Sequence, residues 1–389
     1  MTDVIYLDNG NVTRVSSRVF EAMKERYLEN YGVPGGEFGH MYEEEASEAI
    51  WKARETVAES IGAKAEEIVF TSGVTEGNNL AIKGAVEYME KKDSRQKVIT
   101  SAIERKCVLN SFKELESRGH EVGRIGVDSE GFVRMEELKE SIKGASFISI
   151  QHANQEIGTV QDIRAIGEIA DDAGAIFHTD ASHSFLREKI DVSRINVDLL
   201  TISGHLIHGP LGSGALFIRE GVRLKPQIVG DTREFGLRAG NPNMPAIAGL
   251  AEAVREAREE DVVKMAHMRD RLIKGLLQIP DSELNGPVKN RVADNVNVSF
   301  RGVEGEAILM LASDNGLIIR TGSACFSPEL KYSYVISAIG RGAEEANSST
   351  RFGLSRYNTM DEMERAAEIM QGVIEKLREI SPLYRNRRN

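Results

Sequence analysis

Cysteine is scarce: Cys107 and Cys325 are the only two in 389 residues. Two thiols so far apart in sequence make no disulfide framework, so each is read as an individual thiol. A basic excess is also missing. Lys and Arg number 49 against 60 Asp and Glu, the formal charge is −11 and the pI is near 5.4. This argues against nucleic acid or an anionic membrane surface as partner, because both demand a basic face. No apolar run is long enough to span a bilayer, and MTDVIYLDNG lacks a charged-then-apolar signal pattern. A cytoplasmic protein working on small molecules or proteins is expected. Low-complexity linkers and internal repeats are absent too, and the length allows a large core divided into two or three lobes.

Between Glu66 and Gly221, short apolar runs alternate with amphipathic helical patterns, the rhythm of a parallel α/β sheet. The runs predict strands at Ile68–Thr71, Val98–Ser101, Phe147–Ile150, Ile176–Thr179, Leu199–Ser203 and Ala215–Arg219, with helices including Glu76–Lys91, Cys107–Arg118 and Ile163–Ala173. A second block follows: one long helical pattern at Met244–Ile279, a strand at Asn295–Phe300 and a helix at Met360–Ile380. It reads as a smaller α+β lobe packed on the sheet. The closing RNRRN reads as a solvated basic end.

Parallel sheets of this kind bind ligands beyond the carboxyl ends of their strands. Strand Ile68–Thr71 leads through Ser72-Gly73-Val74-Thr75-Glu76-Gly77 into a helix, where backbone N–H groups and the Thr75 hydroxyl make a candidate phosphate cradle. A plain glycine turn is the competing reading. Asp180 stands at the end of strand Ile176–Thr179 in HTDAS, where a buried carboxylate needs a polar partner such as a ring nitrogen. A helix N-cap would explain it equally well.

Taken in order, FTSGVTEGNNLAIKG, QHANQEIGT, HTDAS, LLTISGHLIHGP, GLRAGN and TGSACFS resemble the cysteine desulfurase family, most closely its branch serving iron–sulfur assembly and nitrogen fixation. The resemblance runs from YLDNGN to ISPLY, essentially the whole chain. It implies fold type I of the pyridoxal-phosphate (PLP) dependent transferases: a mostly parallel seven-stranded α/β sheet domain over residues 13–250, and a smaller α+β domain of residues 1–12 and 251–389 carrying a cysteine loop at 321–333. It also implies roles. Thr75, Ser203 and His205 match positions that hold the cofactor phosphate, Asp180 the partner of the pyridine nitrogen, and Asn154 a side chain near the ring hydroxyl. Arg351 matches the clamp for the substrate carboxylate, a task suited to a guanidinium. Cys325 matches the thiol that attacks the substrate sulfur and becomes a persulfide.

The departures gather at the reactive end of the cofactor. The lysine that forms the Schiff base with PLP is replaced by Leu206, and the nearest lysines in sequence, Lys189 and Lys225, are too distant for a one-residue slip to restore the amine. The stacking histidine is Arg105, the glutamine near the ring hydroxyl is His183, and the threonine a neighbouring subunit would offer is Asn241. Lysine normally makes cofactor transfer possible and moves protons at the substrate carbon. A PLP-free or PLP-idle protein is therefore the expectation.

Cys325, in a Gly-, Ser- and Pro-containing segment, is expected to carry sulfur or to ligate iron in an iron–sulfur cluster shared with a partner, since thiolates are the usual ligands of such clusters. The expected function is a desulfurase-like partner of a U-type scaffold protein in iron–sulfur assembly, without desulfurase activity of its own. The alternative is an active PLP-dependent cysteine desulfurase with His183 or His205 as proton shuttle. A third reading has Arg105 and Arg351 holding a different anion. Cys107 reads as a structural thiol near the old cofactor pocket, and His178, His205 and His208 as a possible metal cluster without diagnostic spacing. The resemblance further implies a homodimer, with Leu237–Asn241 reaching across, and scaffold docking near ISPLYRNRRN.

Overall fold

Apolar runs of four or five residues, separated by amphipathic helices, bury both faces in a parallel sheet covered on either side. Such a sheet forms the centre of the computed structural model, which describes residues 4–35, 39–90, 95–322 and 332–385. Cys325 and residues 386–389 of the basic tail lie outside the described residues. After a short strand β1 (Ile5–Tyr6) and helices α1 (Ser17–Leu28) and α2 (Met41–Glu59), the chain enters the sheet with β2 (Ile68–Thr71). It continues through β3 (Lys97–Ser101), β4 (Glu121–Ile125), β5 (Phe147–Ser149), β6 (Ile176–Asp180), β7 (Leu199–Ser203) and β8 (Gly214–Ile218). Helices α3 (Val74–Met89), α4 (Lys106–Ser117), α5 (Met135–Ser141) and α6 (Ile163–Asp172) lie between these strands in sequence.

The seven strands are ordered β2-β8-β7-β6-β5-β3-β4. The pairs β3/β4, β3/β5, β5/β6 and β6/β7 are parallel, and every residue of β2, β7 and β8 is buried. Strand β8 departs from the parallel reading by pairing antiparallel with both β7 and β2. The reason is length: the connection from Ser203 to Gly214 is too short to hold the crossover helix that a parallel return needs. Strand β4 was not expected from the sequence. It is the sheet edge, with only Ile125 buried, so its residues carry no apolar run.

A second departure concerns Met244–Ile279. The pattern is continuous but the backbone is not: α7 (Met244–Glu256) and α8 (Glu259–Leu276) are separated by Ala257 and Arg258 in extended conformation. Beyond this break comes a second core. Strands β9 (Ser282–Leu284) and β10 (Asn295–Phe300) belong to it, and β11 (Leu317–Ile318), β12 (Arg320–Thr321) and β13 (Ser349–Gly353) follow. A four-stranded antiparallel sheet has the order β12-β13-β10-β9. The closing helix Met360–Ile380 starts on a capping box, Glu362 N–H donating to Thr359 Oγ1 at 3.2 Å and Thr359 N–H to Glu362 Oε2 at 2.9 Å. Strand β1 pairs parallel with β11, and Ile5 and Leu7 share one apolar cluster with residues such as Met268, Phe300, Leu317 and Met370.

One buried ion pair ties the segment bearing Asn241 to the sheet. Arg54 of α2 donates from Nη1 and Nη2 to the two carboxylate oxygens of Glu234, each at 2.8 Å, and the Phe70 N–H of β2 donates to the same carboxylate at 2.7 Å. The guanidinium lies 4.9 Å from the rings of both Phe70 and Phe235. Glu234 and Phe235 take positive φ, 47° and 57°, a conformation that costs free energy in residues other than glycine and is kept here by these contacts. Removing Arg54 leaves a buried carboxylate without its cation. Arg54→Ala is expected to destabilise the protein by about 3–5 kcal/mol in urea unfolding, and Arg54→Ala combined with Glu234→Leu to recover part of that loss.

Candidate active site

Several of the residues singled out from the sequence stand at the carboxyl ends of the central strands, where a parallel sheet presents its loops. Asp180 is the last residue of β6 and Ser203 the last of β7; Thr75 is in the first turn of α3, and Arg105 is the N-cap of α4. Arg351 comes from β13 of the second sheet. Thr75, Arg105 and Arg351 line a cavity of about 310 Å³, together with Cys107, Glu156 and Arg320.

Asp180 is 2% exposed. Its Oδ1 accepts from the Ser182 N–H at 2.9 Å, and its Oδ2 from Asn78 Nδ2 at 2.8 Å. Arg105 Nε lies 3.4 Å from the same Oδ2, so the residue at the expected stacking position supplies the carboxylate with a cation. Ser203 Oγ and His205 Nδ1 are 2.6 Å apart. Burial, with Arg105 and Arg187 adding to it, holds His205 down to about 4, and His183 is held well below the ordinary imidazole range by burial and by Arg105, Arg351, Arg187 and His205. Both rings are therefore neutral bases at neutral pH.

Some candidates are used elsewhere. Asn154 is engaged by its own loop and by the turn after β3: Nδ2 donates to the Ile103 carbonyl at 3.0 Å, and Oδ1 accepts from Glu156 and Ile157 N–H at 2.8 and 2.9 Å. His178 spends both ring nitrogens in the core, on Ser149 at 2.8 Å and Thr201 at 3.0 Å. His208 Nδ1 meets the Arg14 carbonyl at 2.8 Å. Among the described residues no three His, Cys, Asp or Glu side chains group as a metal site, so the histidine cluster is a set of separately satisfied rings. Burial, reinforced by Asp180, pushes the Cys107 thiol above its usual range, which suits a structural residue that also accepts from Asn78 Nδ2 at 3.3 Å.

Leu206 is 1% exposed. Its carbonyl accepts from Arg187 Nη2 at 2.5 Å, and it lines a separate small cavity of about 40 Å³ with Leu186, Val262 and Met265. The residues thus suit PLP without a covalent anchor. The neutral His183 Nε2 and the Ser182 hydroxyl are buried with no partner among the described residues, as donors or acceptors for a polar ligand would be. The α3 N-terminus offers N–H groups, and no amine stands at position 206. The contact already taken is the one on Asp180.

Sequence patterns did not single out Glu156 or Asp8. Arg351 is largely buried; its Nη1 donates to the Gln155 carbonyl at 3.0 Å, and Nη2 lies 3.5 Å from Asp8 Oδ1, whose other oxygen pairs with Arg320 at 3.0 Å. Glu156 accepts from Ser333 Oγ, and burial raises it to about 7 against the opposing pull of Arg351 and Lys106. The only hint of either residue was its place inside YLDNGN and QHANQEIGT. Because its folded pKa is raised, Glu156 contributes stability that is full below its unfolded value of about 4.3 and is lost as pH rises through about 7. Glu156→Gln is expected to gain melting temperature relative to the wild type as pH rises from about 5 to 8. A difference independent of pH would mean an ionised Glu156 throughout.

Comparison with known proteins agrees with this layout. Residues 5–366 match the family model described as aminotransferase class-V. The chain is 42% identical over 385 residues to the cysteine desulfurase IscS of Methanosarcina thermophila, covering 97% of this chain and 94% of that protein. It is 42% identical over 384 residues to cysteine desulfurase IscS 1 of Archaeoglobus fulgidus, covering 98% and 99%. A solved NifS-like protein superposes with TM-score 0.89 at 32% identity over 96% of this chain and 100% of that one. The apo structure of a cysteine desulfurase from Thermococcus onnurineus NA1 gives 0.86 at 26% identity, over 96% and 95%. With the parallel sheet and the strand-end pocket in place, these likenesses make the chain a member of the class-V aminotransferases and, within them, of the IscS/NifS cysteine desulfurase family.

Proposed function

We propose that the chain mobilises sulfur from L-cysteine for iron–sulfur cluster assembly, as a PLP-dependent cysteine desulfurase that works without a lysine. The observation that carries this reading is the 42% identity to cysteine desulfurase over 97% of the chain, which favours an active enzyme over a silent partner. In the reaction the Cβ–S bond of cysteine breaks and an S–S bond forms on Cys325. L-alanine and a persulfide result: the substrate carbon is reduced, the transferred sulfur is oxidised, and the thiol proton of Cys325 balances the proton gained by alanine.

PLP, when bound, supplies an electron sink for charge developing on the substrate carbon. Thr75, Ser203 and His205 would hold its phosphate and Asp180 its ring nitrogen. Arg351, buried between Asp8 and the Gln155 carbonyl, would orient the substrate carboxylate. His183 is a neutral buried ring with Nε2 unpaired. It is the base that would take the substrate proton in place of an amine.

Leu206, buried and without an amine, favours a second reading: a desulfurase-like partner that supplies Cys325 to a cluster shared with a U-type scaffold. In either reading the chain is proposed to be a cytoplasmic homodimer, divided near residue 250 into the two domains expected from the sequence. Supporting a dimer, Tyr27, Leu28, Tyr31 and Met41 are 61, 66, 64 and 63% exposed at and beyond the end of α1, the kind of apolar surface that interfaces cover. Among the described residues no helix is long and apolar enough to cross a membrane.

Sulfide release from L-cysteine with added PLP separates the two readings. The wild type is expected to release sulfide, Cys325→Ser to fall to background, and Leu206→Lys to run faster by on the order of 10²–10⁴ if the lysine's acid–base role is restored. Release by Leu206→Lys alone would remove the desulfurase reading. Under the second reading, chain co-purified with a U-type scaffold carries iron and sulfide that Cys325→Ser loses, and a cluster indifferent to that substitution would end it.

A further inference from the structure

Asp180 is the only carboxylate that the cofactor reading assigns to a cationic ring nitrogen, and it already has a cation. Its Oδ1 is occupied by the Ser182 N–H at 2.9 Å; its Oδ2, held by Asn78 at 2.8 Å, faces Arg105 Nε at 3.4 Å. Arg105 is the one cation within ion-pair distance of Asp180 among the described residues, and its side chain is 22% exposed where that of Asp180 is 2%. The arginine lines the cavity, and the carboxylate is buried behind it. A buried carboxylate is unfavourable without a counter-charge. A guanidinium on a flexible stem is well suited to give way to a better-placed cation, since its charge persists in water.

We propose that Arg105 is a built-in competitor for the PLP site. Its guanidinium neutralises Asp180, so that the chain folds without the cofactor, and the ring nitrogen of PLP enters only by displacing it. This rests on the reading of the pocket as a PLP site, and it assigns to Arg105 a role in setting affinity, with no part in the reaction. Two groups would otherwise share one carboxylate oxygen that Asn78 already occupies, so occupancy by one lowers occupancy by the other. The lost lysine and the gained arginine then act in the same direction, by removing the covalent anchor and charging a toll on the noncovalent contact.

The test is equilibrium dialysis of PLP and of pyridoxine 5′-phosphate against the full-length wild type, Arg105→Ala, Arg105→Gln and Arg105→Lys. Pyridoxine 5′-phosphate keeps the ring nitrogen and the phosphate but has no aldehyde, so surface lysines do not capture it. Arg105→Ala and Arg105→Gln are expected to bind both ligands tighter than wild type by on the order of 10-fold or more, while Arg105→Lys, which keeps a cation, stays near the wild type. Without ligand, Arg105→Ala should melt below the wild type and be raised further by PLP. Should Arg105→Ala not fold, Arg105→Gln supplies the same comparison, because its amide can still donate to Asp180. Equal affinity in wild type and the neutral variants overturns the inference, as does the absence of binding by all of them. Tighter binding without sulfide release leaves the inference standing and removes the desulfurase reading.

Discussion

The burial of Asp180 is the constraint on which the rest of the site depends. A carboxylate that is 2% exposed at the end of β6 has to be neutralised from within the protein or by a ligand. The strand ends deliver what it needs: Ser182 from its own turn, Asn78 from the helix after β2, and Arg105 from the turn after β3. Around this point the charges are arranged by their distance from water. Arg351 is largely buried and Glu156 buried, and His183 is kept neutral because burial and the neighbouring arginines all disfavour the protonated ring. The pocket lining carries Arg105, Lys106, Arg320 and Arg351, an arrangement that favours anionic ligands whether or not a covalent anchor is present.

The positions lost from the family pattern are not scattered. Leu206, Arg105 and His183 all belong to the reactive half of a PLP ring in the cofactor reading, while Thr75, Ser203 and His205, assigned to its phosphate, are kept and only the threonine of a neighbouring subunit is changed, to Asn241. Leucine at position 206 is fully buried and its carbonyl is held by Arg187, which is itself paired with Asp294. An amine restored there would have to leave an apolar surround, so the local structure has settled around its absence. Selection on such a site acts through neighbours as well as through the missing residue, and a change at one position alters what its partners must neutralise.

Much of the fold was legible in the sequence. The limits of β2, β7, β10 and the helix Met360–Ile380 coincide with their apolar patterns because each element buries a complete run or stripe. What was not legible had physical reasons. The edge strand β4 buries one residue and so leaves no pattern. The antiparallel course of β8 follows from loop length, and the break between α7 and α8 is made by two backbone conformations in residues, Ala257 and Arg258, whose side chains fit a helix. In the site, Asp180, Thr75 and Arg351 could be found by position and motif. The Arg105 to Asp180 contact could not, since the two residues come from the ends of different strands and meet only once the sheet has formed. Nor could the titration of Glu156, which depends on burial rather than on its neighbours in sequence.

Strand β1 pairs with β11, and Ile5 and Leu7 pack against residues that lie as far along the chain as Met370. Ile5 and Leu7 are therefore synthesised long before the residues they pack against. At a translation rate of roughly 5–20 residues per second, the more than 300 residues between them leave the N-terminal segment unpaired for about 15–60 s. For that interval Ile5 and Leu7 are sticky surface, and the second core stays open at the seam they will later close. This seam closes only after Leu317 has been made, so exposure to chaperones is set by the order of synthesis as much as by final stability.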